Sequence, residues 1–396
     1  MFPTDVVIVA GARTPMARYT GVFSEVSAID LGAHAAKGAV ERSGVDPVEF
    51  DHVIFGNVLQ TSSDAIYGAR HVGLKAGLKV ETPAVTVNRL CGSGIEAIAL
   101  AAQRLLLGEA TMVVAGGMEN MTQAPFVIRG ARTGLKLGGG VLEDFLFVGL
   151  TDSYCGLPMA LTAEKLAGQT GITRADADAY ALRSQQAADA AAKAGVFKEE
   201  IVPVEVKQGR KSIVVTEDDH RRPETTMETL SKLPPSFQKD GIVTAGNASG
   251  IVDGAAAVVV TQGITAKERG LKPLGRIVSW ATVGVDPSIM GIGPVPASRK
   301  ALQLAGMKLE QIDRVEVNEA FAPQYLAVEK ELGLQREKTN VNGGAIALGH
   351  PLAASGTRLM ITVLNELRRK GLKYGLATAC IGGGQGIAMI VEAIGN

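Results

Sequence analysis

The sequence predicts an α/β protein built from two similar halves, and its composition is the first indication. Of the 396 residues, 46% are hydrophobic but only 4% are aromatic, so the core must consist mainly of Ala, Val, Ile and Leu. Such a core combined with 48 glycines is typical of α/β layering, in which tight turns join strands to helices. The chain is too long for one small core, which predicts two or three domains.

An internal repeat is the second indication. Three short signatures recur in the same order, so that each half runs through a strand, a Gly/Asn loop, a helix, a second strand and a glycine turn. Short glycine-rich strings also recur by accident in α/β proteins, but three matches in order favour a duplication, which would place two glycine loops about a pseudo-dyad. The matched strings are 51–57 with 313–318, 87–94 with 341–356, and 114–117 with 379–383.

Individual elements follow from hydrophobic spacing and from end signals. Thr173 with Asp176 three residues later forms a capping box, which predicts a helix running to about Lys193. Apolar stripes at helical spacing and short apolar runs predict the remaining elements. These are helices at 95–107 and 359–369 and strands starting near Val6 and covering 253–260, 274–278 and 374–379.

The order of these elements predicts the domain organisation. Between 121 and 251 the pattern changes to a glycine-rich loop at 134–140, a polar-faced helix and a charged stretch, which indicates an insertion folded over the first half. The strand at 253–260 then closes the first half. We therefore expect an N-terminal half of residues 1–120 plus 252–270, an inserted loop domain of residues 121–251, and a C-terminal half of residues 271–396.

Charge and cysteine usage exclude several classes of protein. Lys plus Arg and Asp plus Glu number 40 each, so no overall basic field attracts nucleic acid or an anionic membrane. An anionic ligand would need a local basic cluster, and the Lys and Arg residues between 207 and 239 could form one. Three cysteines without a Cys-x-x-Cys pair predict neither a disulfide framework nor a zinc site, and we expect no metal.

The expected location is the cytoplasm. The small number of cysteines favours a reducing compartment. Residues 1–9 carry no basic region before their apolar run, so they predict a first strand and no signal peptide, and residues 393–396 lack a peroxisomal address. No apolar run approaches the roughly 18 residues that a membrane span needs.

Three reactive side chains, Cys91, His350 and Cys380, lie in glycine-rich turns. Glycine lets backbone N–H groups approach a ligand closely, so a thiol beside them is a candidate nucleophile with an adjacent oxyanion hole. Cys91 follows an apolar strand and precedes a helix, whose positive end should lower the pKa of the thiol. The alternative for Cys91 is an inert buried thiol, the commonest fate of a cysteine in a reducing compartment.

The other two turns supply groups for proton transfer. His350 stands before Pro351, which biases it away from helix, as suits a side chain aimed into a cleft. Cys380 follows a predicted buried strand, and a second thiol there can act as an acid or base towards carbon. The remaining candidates lack such a setting and are expected to be structural or on the surface: Cys155, His34, His52, His71 and His220.

Four motifs in this order resemble those of the thiolase family, and the likeness covers the whole chain. They are Cys91-Gly92-Ser93-Gly94, Asn318-Glu319-Ala320-Phe321, Gly349-His350-Pro351 and Cys380-Ile381-Gly382-Gly383-Gly384. Strings at 60–67, 157–160 and 290–296 are similar to the mitochondrial-type 3-ketoacyl-CoA thiolase branch. The resemblance implies a five-layer α-β-α-β-α sandwich of two duplicated halves, an inserted loop domain that binds coenzyme A, and a homo-oligomer, either a dimer or a dimer of dimers.

The resemblance also implies a mechanism for fatty acid β-oxidation. Cys91 would attack the 3-oxo carbon of a 3-ketoacyl-CoA and carry the acyl group as a thioester, while Cys380 moves the proton at the α-carbon. His350 would activate Cys91 and, with a water held by Asn318, stabilise the enolate oxygen. The backbone N–H groups of Cys91 and Gly382 would form the hole for the tetrahedral oxyanion.

Coenzyme A and acetyl-CoA would then be substrates, with no covalently bound cofactor. The resemblance places Ser249 against the pantetheine arm and Arg222 near the adenine, although from residue types alone the arginines at 221–222 could form a solvated face. Pro158 stands where short-chain acetoacetyl-CoA thiolases have histidine, which predicts room for longer acyl chains. Three further coenzyme A contacts are implied: Met159, Phe237 and Ala245.

Other functions remain as alternatives. A β-ketoacyl synthase-like condensing enzyme shares the fold, but it usually has a second histidine where this chain has Cys380. A non-catalytic assembly protein of thiolase fold would have no need of both cysteines and His350. A nicotinamide dehydrogenase is not favoured, because no Gly-x-Gly-x-x-Gly follows the first strand.

Overall fold

One long sheet runs through the computed structural model, which describes residues 5–395 apart from the side chain of Gln208. Two predictions fall partly outside the described residues. The first strand was predicted within residues 1–9, of which 1–4 are not described, and the C-terminal string without a peroxisomal address ends at residue 396, which is not described either. No helix within 5–395 has the length and apolar character that a bilayer crossing requires.

The elements alternate between strands and helices along most of the chain. The strands are β1 (Val6–Arg13), β2 (Ala17–Arg18), β3 (His52–Gly56), β4 (Ala84–Val87), β5 (Met112–Glu119), β6 (Phe126–Ile128), β7 (Leu142–Asp144), β8 (Thr151–Asp152), β9 (Leu157–Pro158), β10 (Val204–Gln208), β11 (Lys211–Val215), β12 (Val252–Gln262), β13 (Gly275–Gly284), β14 (Arg314–Val317), β15 (Tyr374–Ile381) and β16 (Gln385–Ala393). The helices are α1 (Ala28–Ser43), α2 (Gly68–Lys75), α3 (Ser93–Leu106), α4 (Phe145–Gly149), α5 (Met159–Thr170), α6 (Arg174–Lys193), α7 (Met227–Ser231), α8 (Gly263–Glu268), α9 (Pro294–Ala305), α10 (Ala322–Leu332), α11 (Ala345–Leu348) and α12 (Leu352–Lys370).

Each half contributes the same strand pattern to the sheet. In the first half β1, β12, β5, β3 and β4 lie side by side through two antiparallel and then two parallel pairings. In the second half β13, β16, β15 and β14 repeat this order, and Thr339 adds a parallel bridge to Val315 where the first half has β4. Val7 and Ile8 pair with Arg276 and Gly275, so β1 and β13 make the two sheets continuous.

The duplication is visible in side chains as well as in strand order. Asp51 and Asp313, each directly before the matching strand, both accept two backbone N–H bonds at the start of the neighbouring strand, at 2.7 and 3.2 Å in one half and 3.0 and 2.9 Å in the other. The third predicted match holds for the strands, since β5 and β15 occupy equivalent places in the two halves, but not for the glycines. Gly116 and Gly117 lie inside β5, whereas Gly382 follows the end of β15.

The five-layer architecture is confirmed by three separate cores. Helices α1 and α2 cover the outer face of the first sheet region, α9 and α10 cover that of the second, and α3 and α12 pack between them. The two central helices meet at glycines: a Cβ on Gly94 would lie 2.5 Å from Thr357 N, and one on Gly356 would lie 2.6 Å from Ile95 N. Their backbones therefore touch without intervening side chains.

The element bounds refine the predictions. The capping box of Thr173 and Asp176 is present, and α6 ends at Lys193 as predicted. Helix α12 starts at Leu352, seven residues before the predicted start at 359. Pro351 is its N-cap residue, and the fixed φ of proline is compatible with the start of a helix. Strand β15 runs to Ile381 and thus includes Cys380.

The sequence indicated that the inserted segment folds over the first half, and in the structure it contacts the second half as well. Glu319 of the second half accepts hydrogen bonds from Tyr180 and Ser184 on α6 at 2.6 and 2.7 Å. On the first half, buried Arg13 pairs with Glu200 at 2.8 Å and with Asp218 at 2.7 Å. The segment therefore bridges the two halves on the side where the reactive loops lie.

Candidate active site

The thiol of Cys91 lies in a single 3-10 turn, Leu90–Gly92, between β4 and α3. Leu90 has a φ of +46°, a left-handed conformation that is uncommon for residues other than glycine. Two polar side chains hold this turn. Asn88 Oδ1 accepts from Leu90 N at 2.9 Å, and Ser93 Oγ accepts from Arg89 N at 2.9 Å and donates to Leu90 O at 2.7 Å. The neighbours thus maintain a strained turn that presents the thiol.

The pKa of Cys91 is raised, whereas the sequence predicted that the helix end would lower it. Loss of water around the sulfur raises the pKa to about 11, although the backbone N–H groups of Gly382 and of Cys91 itself act in the opposite direction. The nearby carboxylate of Glu119 raises the pKa further. The prediction was wrong because desolvation outweighs the backbone dipoles. At neutral pH the group is a thiol, which needs a base to become a nucleophile.

His350 presents one unprotonated ring nitrogen to the site. Its Nδ1 lies 2.5 Å from the Oγ of Ser355, and the same Oγ lies 3.3 Å from the carbonyl of Pro351. A carbonyl can only accept, so the hydroxyl donates to Pro351 and accepts from Nδ1–H. Nε2 is then the basic nitrogen, and the amide nitrogen of Asn318 lies 3.3 Å from it. The Oδ1 of Asn318 is buried and accepts no hydrogen bond from the described residues.

Burial keeps His350 neutral. Desolvation, and then the positive charge of Arg358, lowers the pKa of His350 to about 3. Arg358 is itself fully buried on α12 and pairs with Glu316 at 3.2 Å. Across the physiological range the imidazole can therefore take up the proton of Cys91, because it does not already carry one at Nε2.

Cys380 lies near the end of β15, fully buried against Met290 and Ala320, with Met159 and Phe321 beside them. Burial and then the neighbouring Cys91 raise the pKa of Cys380 well above that of an ordinary thiol. The group therefore stays protonated and can give its proton to a carbon atom. Cys155 lies apart from these groups, in the turn between β8 and β9.

A cavity of about 340 Å³ opens beside Cys91 and His350. Most of its wall is apolar, which suits the alkyl part of an acyl chain. Three of the five residues that were expected to contact coenzyme A also line this cavity: Met159, Phe237 and Ser249.

The other two expected contacts, Arg222 and Ala245, line a separate cleft of about 180 Å³. Gly250, which lines the first cavity, packs against His220, which lines the second. The sequence predicted His220 to be a surface or structural residue, and the structure places it in the wall of this cleft. Burial, and then the charge of Arg222, lowers the pKa of His220 to about 4. Its place directly before the Arg221-Arg222 pair was the available signal.

The basic residues between 207 and 239 do not form the single cluster that was predicted. Three lie on the β10–β11 hairpin, which packs beside α1, while Arg221 pairs with Glu217 at 3.3 Å and Lys232 pairs with Glu228 at 2.5 Å. Of this set, Arg222 lines the 180 Å³ cleft. Within the part of the chain that the structure describes, no group of three His, Cys, Asp or Glu side chains could hold a metal ion.

Comparison with known proteins decides the family. Residues 6–263 match the thiolase N-terminal domain, and residues 271–393 match the thiolase C-terminal domain. This chain belongs to the thiolase family. The human mitochondrial 3-ketoacyl-CoA thiolase is 54% identical over 389 residues, which is 98% of each chain. The acetyl-CoA acetyltransferase of Syntrophomonas wolfei is 47% identical over 395 residues, covering 98% of this thiolase and 99% of the relative.

Solved thiolase structures agree with the fold described above. The crystal structure of human mitochondrial 3-ketoacyl-CoA thiolase in complex with CoA matches with a TM-score of 0.97 at 54% identity, covering 100% of this chain and 99% of that one. The acetyl-CoA acetyltransferase of Bacillus anthracis matches with a TM-score of 0.97 at 44% identity, covering 98% and 99%. The synthase-like and non-catalytic alternatives are not favoured, because these relatives are named as enzymes of thiolase chemistry.

The relatives contradict the expected cytoplasmic location. Human and bovine proteins that are 54% and 53% identical to this thiolase are named mitochondrial, which is at odds with the cytoplasmic expectation. The prediction was wrong because a small number of cysteines indicates a reducing compartment without distinguishing one such compartment from another.

Proposed function

We propose that this thiolase catalyses the coenzyme A-dependent cleavage of a 3-ketoacyl-CoA to acetyl-CoA and a shortened acyl-CoA, and the reverse condensation of acetyl-CoA to acetoacetyl-CoA. One observation carries the proposal. Cys91 and the basic Nε2 of His350 line one cavity, and Cys380 lies directly behind Met290 and Ala320 of its wall. A nucleophile, a base and an acid towards carbon are the groups that this chemistry needs.

In the first half-reaction, Cys91 Sγ attacks the 3-oxo carbon while its proton passes to Nε2 of His350. The bond between the second and third carbons then breaks, and its electron pair forms the enolate of acetyl-CoA. Cys380 gives its proton to the enolate carbon, and acetyl-CoA leaves from acyl-Cys91. Protonated His350 and a water held by Asn318 stabilise the enolate oxygen.

In the second half-reaction, the thiol of coenzyme A gives its proton to the Cys380 thiolate and attacks acyl-Cys91. The thioester bond to Cys91 breaks, and the proton on His350 returns to the Cys91 sulfur. The backbone N–H groups of Cys91 and Gly382 stabilise the tetrahedral oxyanion. Loss of one such donor typically lowers kcat by ~10²–10³. Support comes from Gly382, whose N–H already points at Cys91.

Segment 121–251 supplies the coenzyme A site in this proposal, and the flanking ranges 1–120 plus 252–270 and 271–396 form the two catalytic halves. Ser249, Met159 and Phe237 hold the pantetheine end, because they line the reactive cavity. Arg222 and Ala245 hold the nucleotide end, because they line the neighbouring cleft, whose His220 packs against Gly250 of this cavity.

The proposal also covers the oligomeric state and the metabolic pathway of this thiolase. A homo-oligomer, as a dimer or a homotetramer of two dimers, would cover apolar side chains that the inserted segment exposes, among them Phe126 and Leu142, each 62% exposed. The pathway proposed is fatty acid β-oxidation, which matches cleavage of 3-ketoacyl-CoA.

Thiolysis of 3-ketoacyl-CoA substrates from C4 to C16 tests the function. We expect coenzyme A-dependent cleavage beyond C4, because Pro158 lines the cavity where short-chain thiolases carry a histidine. Mass spectrometry after incubation with acetyl-CoA should show one acetyl group per chain on Cys91, and Cys91→Ala should abolish both directions with the fold intact. Acetylation of Cys155 or Cys380 alone would disprove the assignment, and activity confined to C4 would disprove the longer-chain prediction.

A further inference from the structure

The buried carboxylate of Glu119 contacts the loops that carry the reactive groups, although the steps above do not use it. Glu119 is the last residue of β5 and is fully buried. Its oxygens accept backbone N–H bonds from Val58 at 3.3 Å, Leu59 at 2.9 Å and Ala353 at 3.0 Å, and an amide N–H bond from Asn57 at 3.1 Å. Because all four partners donate, the group that satisfies them is a carboxylate.

One set of contacts leads to His350. Ala353 lies three residues after His350, in the first turn of α12. This helix end rests on the sheet where there is no space for a side chain, since a Cβ on Gly117 would lie 2.0 Å from Ala353 O. A Cβ on Gly56 would lie 3.2 Å from that of Ala353. The bond from Ala353 N to Glu119 therefore fixes the start of α12, and with it the loop that carries His350, against the ends of β3 and β5.

The other set of contacts leads to Cys91 in three links. Val58 donates its N–H to Glu119, and its carbonyl accepts from the amide of Asn88 at 3.3 Å. Asn88 in turn accepts from the N–H of Leu90 at 2.9 Å. Leu90, directly before Cys91, has the left-handed φ of +46°. Glu119 is therefore linked through Val58 and Asn88 to the residue that fixes the conformation of the Cys91 turn.

We propose that Glu119 is a positioning residue for the thiolase reaction, which holds the Cys91 turn and the His350 loop at the separation that lets Nε2 take the thiol proton. This proposal rests on the function proposed above. Burial raises the pKa of Glu119 to about 7 against the effect of its three backbone N–H partners. Its negative charge lies close enough to Cys91 to raise the pKa of that thiol.

Glu119→Gln tests the proposal, because it keeps the shape but removes the charge and turns one acceptor oxygen into a donor. We expect kcat to fall about 10- to 100-fold, since a misplacement of ~1 Å can cost 10²-fold. The KM for coenzyme A should stay near the wild-type value. The rate of Cys91 alkylation by iodoacetamide should rise at lower pH than in the wild type, because the neighbouring negative charge is gone. The other titratable groups near Cys91 and Glu119, which are Cys380, His350 and Asp253, are the same in the variant and the wild type.

Two further variants keep the test decisive. Glu119→Asp retains the charge but is one methylene shorter, so kcat should fall without the shift of the alkylation profile. Glu200→Gln, at a buried glutamate that pairs with Arg13 outside both reactive loops, is the control and should lower Tm while kcat stays at the wild-type value. If Glu119→Gln does not fold, the kcat of Glu119→Asp tests the positioning role alone: a fall in kcat supports it and a wild-type kcat contradicts it.

Wild-type kcat in the folded Glu119 variants, or an equal loss of kcat in Glu200→Gln, overturns the positioning role. Lack of thiolysis by the wild type overturns the proposed function instead, so the two failures are distinguishable.

Discussion

At the scale of the residue, the active site holds three neutral groups. The raised pKa of Cys91, the raised pKa of Cys380 and the lowered pKa of His350 all have burial as their main cause. A thiolate–imidazolium pair is therefore not the resting state. In the proposed mechanism the proton of Cys91 moves as the substrate carbonyl takes up negative charge, so the oxyanion donors and the base would act in the same step.

Alkylation of Cys91 should follow this neutral resting state. With a pKa of about 11, the thiolate fraction rises tenfold for each pH unit below that value, so the rate with iodoacetamide should rise at this slope from pH 7 to about 10. The measurement is the second-order rate of inactivation, with Cys155→Ser as the background. A plateau below pH 9 would contradict the raised pKa.

Cys380 gives a test that is separable from Cys91. Cys380→Ala should still become acetylated from acetyl-CoA, because Cys91 and His350 remain. It should not exchange the acetyl methyl hydrogens with deuterated water, and Cys380→Ser should be nearly as poor, since a hydroxyl is a far weaker acid than a thiol. Wild-type exchange in Cys380→Ala would rule out the two-cysteine mechanism and favour His350 as the base towards carbon.

Ser355 should control which nitrogen of His350 is basic. Ser355→Ala removes the acceptor of Nδ1–H, so the other tautomer becomes populated and kcat should fall about tenfold or more. The KM for coenzyme A should change little. Ser298→Ala on α9, which removes another buried hydroxyl of the same half, serves as the control and should retain the wild-type kcat.

The sequence was sufficient to predict the reactive side chains that lie in glycine-rich turns. Cys91, His350 and Cys380 were predicted in this way, and the structure brings them together. Glu119 and Ser355 were not, because their roles depend on contacts that only folding creates. Glu119 meets Ala353 across 234 residues of chain. The direction of the Cys91 pKa was missed because it depends on how much water the fold removes.

At the scale of the element, the reactive groups sit where strands end and helices begin. Cys91 stands before α3, His350 stands before α12, and Cys380 stands near the end of β15. Local signals such as the capping box were sufficient to predict α6. The start of α12 was predicted seven residues late because its first six residues, 352–357, contain only one large apolar side chain, that of Leu352, and so do not mark a stripe.

The cleft beside the 220–225 loop offers a test at this scale. Arg222→Ala should raise the KM for coenzyme A several-fold with little change in kcat, which is the signature of lost uniform binding. Arg221→Ala is the matched control, because that neighbour pairs with Glu217 and does not line the cleft. An unchanged KM in Arg222→Ala would show that this arginine is only part of a solvated face.

At the scale of the whole molecule, the two halves share one central layer. The strand pattern of each half was predictable because a repeated sequence implies a repeated fold. The close contact of α3 with α12 was not, since two glycines in separate helices carry no signal that they will meet.

Gly356→Ala tests this contact. The added methyl group would lie 2.6 Å from Ile95 N, a backbone atom that cannot move aside alone, so the variant should lose about 2 kcal/mol or more of its free energy of unfolding. Gly168→Ala is the control. Gly168 is an exposed position of α5 and its added methyl group would meet nothing within 4 Å, so that variant should gain about 0.5–1 kcal/mol. Equal stability of the two variants would contradict the backbone contact.

The shared central layer also bears on how one active site could come to use two repeats. Three residues before its contact glycine, the first repeat has Cys91, and the second has Ala353 at the same place. A chain with a single repeat could bury its central helix only by pairing with a second, identical chain, and every change would then appear in both partners. Fusion of two copies would remove that constraint. One copy could then carry the proposed nucleophile and the other the histidine and the second thiol, while the helix contact keeps the two halves in register.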